Sequence, residues 1–249
     1  MSASLFITSR ALSAMGVIHG FSLRAAGDLR DAGDLVRLTE AAGLRTVATA
    51  KQVHEDRVLG ALRDGSQKEL FAASEASAAG AEGADAVVAL EPEVAVGVFT
   101  ADCVPILLYA EDVGAAAAVH SGWRGARLSI AARGVRALQH ATGADPKRMT
   151  AAIGPSIGAC CYEVSPELAA TFRDLFGADV ADGRRHLDLR RVVERTLRQA
   201  GVERIEQVEG CTSCDTGSFF SYRRDRRNAG RQLSFVRSGP ATHFSSRAP

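Results

Sequence analysis

His54 in the segment KQVH, Cys103 in TADC and His120 in VHSGWRG are the side chains of this 249-residue chain best suited to chemistry. Two imidazoles and a thiolate suit a soft ion such as Zn²⁺ or copper, and three protein ligands leave one coordination position open, as in catalytic metal sites. A dication with one thiolate keeps a net positive charge, enough to acidify bound water. The separations between the three match no zinc-finger or ribbon pattern, so the fold has to bring them together. The same residues offer a second chemistry, with Cys103 as nucleophile and His120 as its base. Taken singly, each has an ordinary reading: a surface histidine, a small buried hydrophobe and a strand-end residue bonded to backbone.

Neighbouring residues extend the constellation. Asp102, adjacent to Cys103, can orient a ligand, act as a base or cap a turn. Arg124 beside Trp123, and Arg223 or Arg224 in FFSYRRD, carry guanidinium forks that match sets of oxygens on phosphate or ribose, and serve equally as ion-pair partners. Arg223 and Arg224 belong with Arg226, Arg227 and Arg231 to a late basic concentration that reads otherwise as a solvated loop. Tyr162 and Phe220 can stack on a planar base or pack in a core. Cys211 and Cys214 form a C-x-x-C pair, a competing half of a zinc site or of a nucleobase-deaminase site. The deaminase pattern also requires H-x-E and a proline before the first cysteine. His54 is followed directly by Glu55 and Cys211 by sequence follows Gly210, so that pattern fails and the pair is assigned a structural or incidental role. The vicinal Cys160 and Cys161 are assigned to packing.

Strands must hold these residues. VAVGVF (94–99), PILLYA (105–110) and GAAAAVH (114–120) are short apolar runs bounded by turn residues, which places 100–103 and 120–125 at strand ends facing a cleft. Further strands are expected around 149–153, 205–208 and 232–236. Helical spacing from Ala126 to a stop at Gly143 predicts one sheet-covering helix; a second begins at Ser165-Pro166-Glu167, and a third carries Leu189, Val192, Val193, Thr196, Leu197 and Ala200 on one face. The stretch from Asp64 to Gly83, rich in Ala, Ser, Gly and Glu, reads as a surface loop or frayed helix. The mixed order of elements favours an α+β fold, a single domain over 1–249 with mixed β-sheet layers flanked by helices.

Composition narrows the partners. Thirty Lys and Arg against 29 Asp and Glu leave a formal charge of +1, which argues against nucleic acid or a membrane surface and makes any anion site local. No apolar run reaches the roughly 18 residues of a membrane span, and the first residues lack a signal-peptide pattern, so a cytoplasmic location is expected. Five cysteines are then read as thiols rather than disulfides.

KQVH (51–54), GADAVV (83–88), TADCVPILL (100–108), VHSGWRG (119–125), IGPSIGACCYEV (153–164) and FFSYRRD (219–225) stand in the order found in the multicopper polyphenol oxidase/laccase-like family, the YfiH/LACC1-like purine nucleoside phosphorylases, which this chain resembles. The resemblance implies a zinc-dependent enzyme, copper being the other metal considered, with ligands at His54, Cys103 and His120. It implies phosphorolysis of adenosine, inosine and 5′-methylthioadenosine to free base and (methylthio)ribose 1-phosphate, with secondary adenosine deamination. Asp102, Cys103, His120 and Arg124 become the catalytic candidates; Arg24, which follows HGFS, joins Arg124, Arg223 and Arg224 as substrate-binding candidates. Purine nucleosides and phosphate are the expected partners. Laccase chemistry fits less well, since His19, His140, His186 and His243 are too few beyond the trio for several copper centres. The segment AAGDLRDAGDLVRLTEAAGL before Lys51 is shorter than the family's, which bears on nucleoside preference. A Cys–His hydrolase editing peptidoglycan precursors and a metal-containing partner-binding module are the alternatives.

Overall fold

Residues 104–121 set the architecture, because both faces of their two strands are apolar and each face requires a cover. The computed structural model describes residues 4–75, 83–183 and 185–240. Its elements begin with β1 (Phe6–Ile7), α1 (Arg10–Ala14), β2 (His19–Ser22), α2 (Ala32–Ala41), β3 (Val58–Ala61), β4 (Gln67–Phe71) and β5 (Ala86–Ala89). Next come β6 (Ala95–Thr100), β7 (Val104–Ala110), β8 (Ala115–Ser121), α3 (Trp123–Arg127) and α4 (Ile130–Thr142). The chain continues with β9 (Met149–Ile153), α5 (Pro166–Phe176), α6 (Leu189–Gln199), β10 (Arg204–Gln207), α7 (Tyr222–Asp225) and β11 (Gln232–Arg237).

Two sheets result. One is antiparallel, in the order β1-β2-β11-β6; the other is mixed, β10-β9-β7-β8-β5-β3-β4, with β10–β9 and β3–β5 parallel. The period of two along β7 and β8 sorts their side chains. Ile106, Leu108, Ala117 and Val119 pack with Val135, Leu138 and Val192 of α4 and α6. Leu107, Tyr109, Ala116 and Ala118 face the other way and meet Phe21, Val96, Val98 and Val236 of the antiparallel sheet. That sheet's far face, with Leu233 and Phe235, is covered by Leu38 of α2 and its flanks. The α+β expectation of mixed sheets flanked by helices therefore holds, in four layers: helix, sheet, sheet, helices. The four consecutive alanines at 115–118 keep β8 thin where cores lie on both sides of it.

Three expectations change in detail. The helix expected over 126–143 is two helices, because Ser129 adopts a left-handed conformation (φ 58°) that ends α3 and redirects the chain into α4; Gly143 does close α4, also left-handed. The stretch 64–83 contains an edge strand, β4, whose exposed Gln67, Lys68 and Glu69 hide it from an apolar pattern and protect a sheet edge; positions 76–82 lie outside the described residues. Before Lys51, where local patterns predict no element, β1, α1, β2 and α2 are found.

Candidate metal centre and active-site cleft

The ligand trio assembles where β7 and β8 emerge between the layers. His120 continues the even-numbered row of β8 that faces the antiparallel sheet, and Cys103 directly precedes β7. His54 comes from the loop before β3. The candidate ligand atoms of His54, Cys103 and His120 all lie within 4.8 Å of one another. Cys103 Sγ is 3.9 Å from His54 Nε2, and the two imidazoles meet edge to face at 4.8 Å.

Asp85, in the GADAVV motif, organises this centre, and sequence reasoning missed it. Its fully buried carboxylate accepts the backbone N–H groups of Val53, His54 and Glu55 at 3.2, 3.0 and 2.8 Å, and the His120 Nδ1–H at 2.7 Å. One side chain thus fixes the loop carrying one ligand and the ring of another. With Nδ1 committed to Asp85, His120 has Nε2 left as its ligand atom. Gln52 completes the anchoring: its Oε1 accepts from Phe99 N and its Nε2 donates to Phe99 O, both at 2.7 Å, tying KQVH to the end of β6. Gly122 leaves the centre its room, since a Cβ there would lie 3.1 Å from both Cys103 Sγ and His54 Cδ2.

Without an ion the Cys103–His120 pair is held as thiolate and imidazolium; the thiolate suits a metal-ligand role, and His120 would release its Nε2 proton to an ion. Burial pushes the Cys103 thiol up, but the charge of His120 and hydrogen bonds from both histidines prevail and hold it at about 6. Burial likewise opposes the charged form of His120, and the Cys103 thiolate together with the Asp85 bond raises it to about 10. Asp85 stays below the ordinary carboxylate range: its burial is outweighed by His120 and by the backbone donors. Thiolate, imidazole and a carboxylate-oriented histidine form the donor set of a soft divalent ion, so the residues present fit a metal.

The trio opens into a cleft of about 980 Å³, near the upper end of the range for small-molecule sites. Trp123, Tyr162, Tyr222 and Phe99 supply its aromatic surface. Of the four arginines nominated from sequence, the structure brings only Arg223 to the lining. Arg124 stacks over Trp123, 4.6 Å from the ring centre, and Arg24 lies 5.0 Å from the centre of the Phe220 ring; neither lines the cleft. Arg224 is committed to the carbonyls of Thr212, Ser213 and Phe219 and to Asp225. The cationic lining comes instead from Arg30, Lys51, Arg223, Arg226 and Arg231. Arg30 was not nominated, and its only signal is its place in the segment before Lys51 on which nucleoside preference is expected to depend. Asp102, at φ 87°, accepts from Thr212 Oγ1 at 2.7 Å and from the Arg223 backbone N–H at 2.6 Å. It thereby joins three chain segments at the cleft wall. Tyr162 lies in that wall, whereas Phe220 lies outside it.

A sequence-family model described as multi-copper polyphenol oxidoreductase laccase matches residues 31–238. The chain belongs to this family. Among its relatives, a purine nucleoside phosphorylase of Clostridium acetobutylicum is 35% identical over 198 residues, which make up 78% of this chain and 77% of that protein. Adenosine deaminase RL5, from an unknown prokaryotic organism, is 40% identical over 164 residues, 62% of each chain. The crystal structure of YlmD from Geobacillus stearothermophilus superposes with a TM-score of 0.75 at 27% identity, covering 95% of this chain and all of that one. In this laccase-family member, three of the histidines outside the trio serve other ends. His19 accepts from Ser9 N and bonds Val17 O, His140 packs beside Phe71, and His186 pairs with Asp182; His243 lies outside the described residues. Among the described residues, one other group of potential metal ligands exists: Cys160, Cys161, Cys211 and Cys214. No helix among the described residues is long and apolar enough to cross a membrane.

Proposed function

We propose that this family member is a zinc-dependent purine nucleoside phosphorylase with secondary adenosine deaminase activity, acting on adenosine, inosine and 5′-methylthioadenosine. The observation that carries the reading is one cleft uniting the His54–Cys103–His120 centre, an aromatic wall and a group of cationic side chains. The names of the relatives agree with both activities.

Phosphorolysis breaks the C1′–N9 bond, with the electron pair leaving on the base, and forms a C1′–O bond to phosphate. Positive charge develops on the ribose while the dianionic nucleophile must be held close to it. Arg30, Arg223 and Arg231 are assigned to phosphate. Burial and then the neighbouring Arg30 charge hold the Arg231 guanidinium below its ordinary value, with the Asp28 carboxylate that pairs with Arg30 offsetting part of this; phosphate is assigned to the open side of that group. Trp123 and Tyr162 are assigned to the planar base; the Tyr162 hydroxyl, pushed up to about 12 by burial and by the Cys103 charge, remains a donor at neutral pH. His54, Cys103 and His120 would hold the zinc, which when bound would supply Lewis-acid polarisation. Asp102, with each carboxylate oxygen already accepting a hydrogen bond, is assigned to positioning the Thr212 and Arg223 segments rather than to proton transfer. Arg124 is assigned to bracing Trp123 from behind.

The Cys103–His120–Asp85 sequence of contacts is also the order of a thiol hydrolase, which keeps that second reading open. Such a hydrolase has no need of His54 against the same sulfur or of several guanidinium groups opposite. The deciding experiment incubates purified protein with adenosine, with and without phosphate, and separates adenine, inosine and ribose 1-phosphate. Adenine and ribose 1-phosphate appearing only with phosphate support the proposal, and inosine in either tube adds deamination. Absence of all three products overturns it.

A further inference from the structure

Cys160 and Cys161 lie 50 residues and more before Cys211 and Cys214 in sequence, yet the fold gathers all four sulfurs within 4.8 Å of one another. This cluster is separate from the His54–Cys103–His120 centre and shares no residue with it. Cys214 Sγ stands 3.3 Å from Cys161 Sγ and 3.5 Å from Cys160 Sγ, whereas a disulfide joins two sulfurs at about 2.05 Å. Near-equal approach of one sulfur to two others is the pattern of thiols converging on a shared point. Four thiolates with bonds of about 2.3 Å to a tetrahedral ion stand about 3.8 Å apart; two of the separations here are 3.3 and 3.5 Å and none exceeds 4.8 Å.

The surroundings suit an ion. The Gly158 N–H donates to Cys211 Sγ at 3.2 Å, and a turn in which Cys161 N and Tyr162 N both bond Gly158 O brings the vicinal pair together. Gly158 also has to lack a side chain: a Cβ there would sit 3.2 Å from Cys160 Sγ and 3.6 Å from Cys211 Sγ, inside the cluster. Four thiolates around a dication leave an excess of negative charge, and the Arg190 cation is in place to offset part of it, while Arg224, itself paired with Asp225, holds the loop. Arg190 acts on Cys211 electrostatically and has a buried Nε without a hydrogen-bond partner; Arg224 grips the carbonyls of Thr212 and Ser213 within the C-x-x-C loop. Cys160 and Cys214 are exposed, which gives an ion a path in.

We propose that Cys160, Cys161, Cys211 and Cys214 form a second, closed metal site for a soft tetrahedral ion, zinc in the first instance, that clamps the loop after β9 to the loop after β10. The consequence reaches the cleft. Between the clamped loops, Ile157 N bonds Asp102 O, Thr212 N bonds Ser156 O, and Thr212 Oγ1 bonds the Asp102 carboxylate. An ion there holds the wall that carries Ile157, Tyr162 and Asp102 without touching substrate. On this proposal the four cysteines share a role in place of the packing, structural or incidental ones expected of them, and it stands or falls independently of the nucleoside reading.

The test counts metal per chain in reduced protein prepared with zinc, and records the absorption of cobalt-loaded protein. Two zinc equivalents are expected in the wild type, and one in each of Cys214→Ser and Cys103→Ala. Cobalt-loaded Cys103→Ala is expected to show intense thiolate-to-metal charge transfer with tetrahedral ligand-field bands, both absent from the doubly substituted chain. One wild-type equivalent that disappears in Cys103→Ala and persists in Cys214→Ser overturns the proposal, provided near-ultraviolet circular dichroism shows both variants folded. A chain of the non-reduced wild type that is lighter by two hydrogens and binds no second ion also overturns it, because the cluster is then a disulfide.

Discussion

At the scale of single residues, Asp85 explains more of the centre than any ligand does. It accepts three backbone N–H groups of the His54 loop and orients His120. Asp85→Asn keeps the volume but puts an amide where two acceptors are needed, so metal affinity should fall about 10–100-fold; equilibrium metal titration against a competing chelator measures it. Cys103→Ala should abolish stoichiometric zinc at this centre, since it removes one bond and the compensating charge together. Metal content of the purified variant checks this, with the four-cysteine cluster counted separately. Arg231→Ala should raise the KM for phosphate about tenfold or more and leave that for nucleoside nearly unchanged, because a hydrogen bond from a charged group contributes about 1.5–3 kcal/mol. Phosphate saturation curves at fixed nucleoside decide. Legibility at this scale followed chemistry: the three candidate ligands stood out by type, while Asp85 and Gln52 did not, because a carboxylate or amide that serves the backbone looks like any other polar residue.

At the scale of elements, α1 depends on two polar groups from distant strands. Its N-cap Ser9 donates through its hydroxyl to Glu206 of β10 and through its backbone N–H to His19 Nε2 of β2. Burial holds the His19 imidazole below its ordinary value of 6.5, and its backbone contacts do not reverse this. A neutral His19 is therefore the folded form, and the unfolded chain binds the extra proton first. Stability should decline as pH falls below 6.5 toward the lowered folded value, and His19→Gln should flatten that part of the curve. Thermal melts of both proteins across this interval provide the measurement. Strands β7, β8, β9 and β11 and helices α5 and α6 were readable from apolar runs and periodicity. The edge strand β4 and the break at Ser129 were not, since one is polar by virtue of its position and the other rests on a single backbone conformation.

At the scale of the whole molecule, the cleft exists because two sheets, flanked by helices on both outer faces, meet near the ends of β6, β7 and β8. A metal that binds only the folded chain stabilises it by mass action, about 2.7 kcal/mol at a hundredfold excess over Kd. For a chain of this size that corresponds to a rise in Tm of roughly 5–10 °C. Scanning calorimetry of chelator-treated protein with increasing zinc should show it, and a Tm independent of zinc would count against both metal sites. Net charge near zero made any anion site a local one, and which arginines could form it depends on side-chain placement: Arg223, bonded to Glu163 O and lying over Tyr162, lines the cleft, whereas Arg24 and Arg124 lie over rings outside it and Arg224 is spent on carbonyls and an aspartate. The sequence by itself determined the α+β class and marked the strand ends and the three candidate ligands, because residue type and local periodicity are properties of short segments. Only the tertiary structure decided that Asp85 ties the trio together, that Arg30 and Arg231 face one cleft, and that four scattered cysteines share one point. Those facts depend on contacts between segments far apart in the chain, and no local pattern encodes such distances.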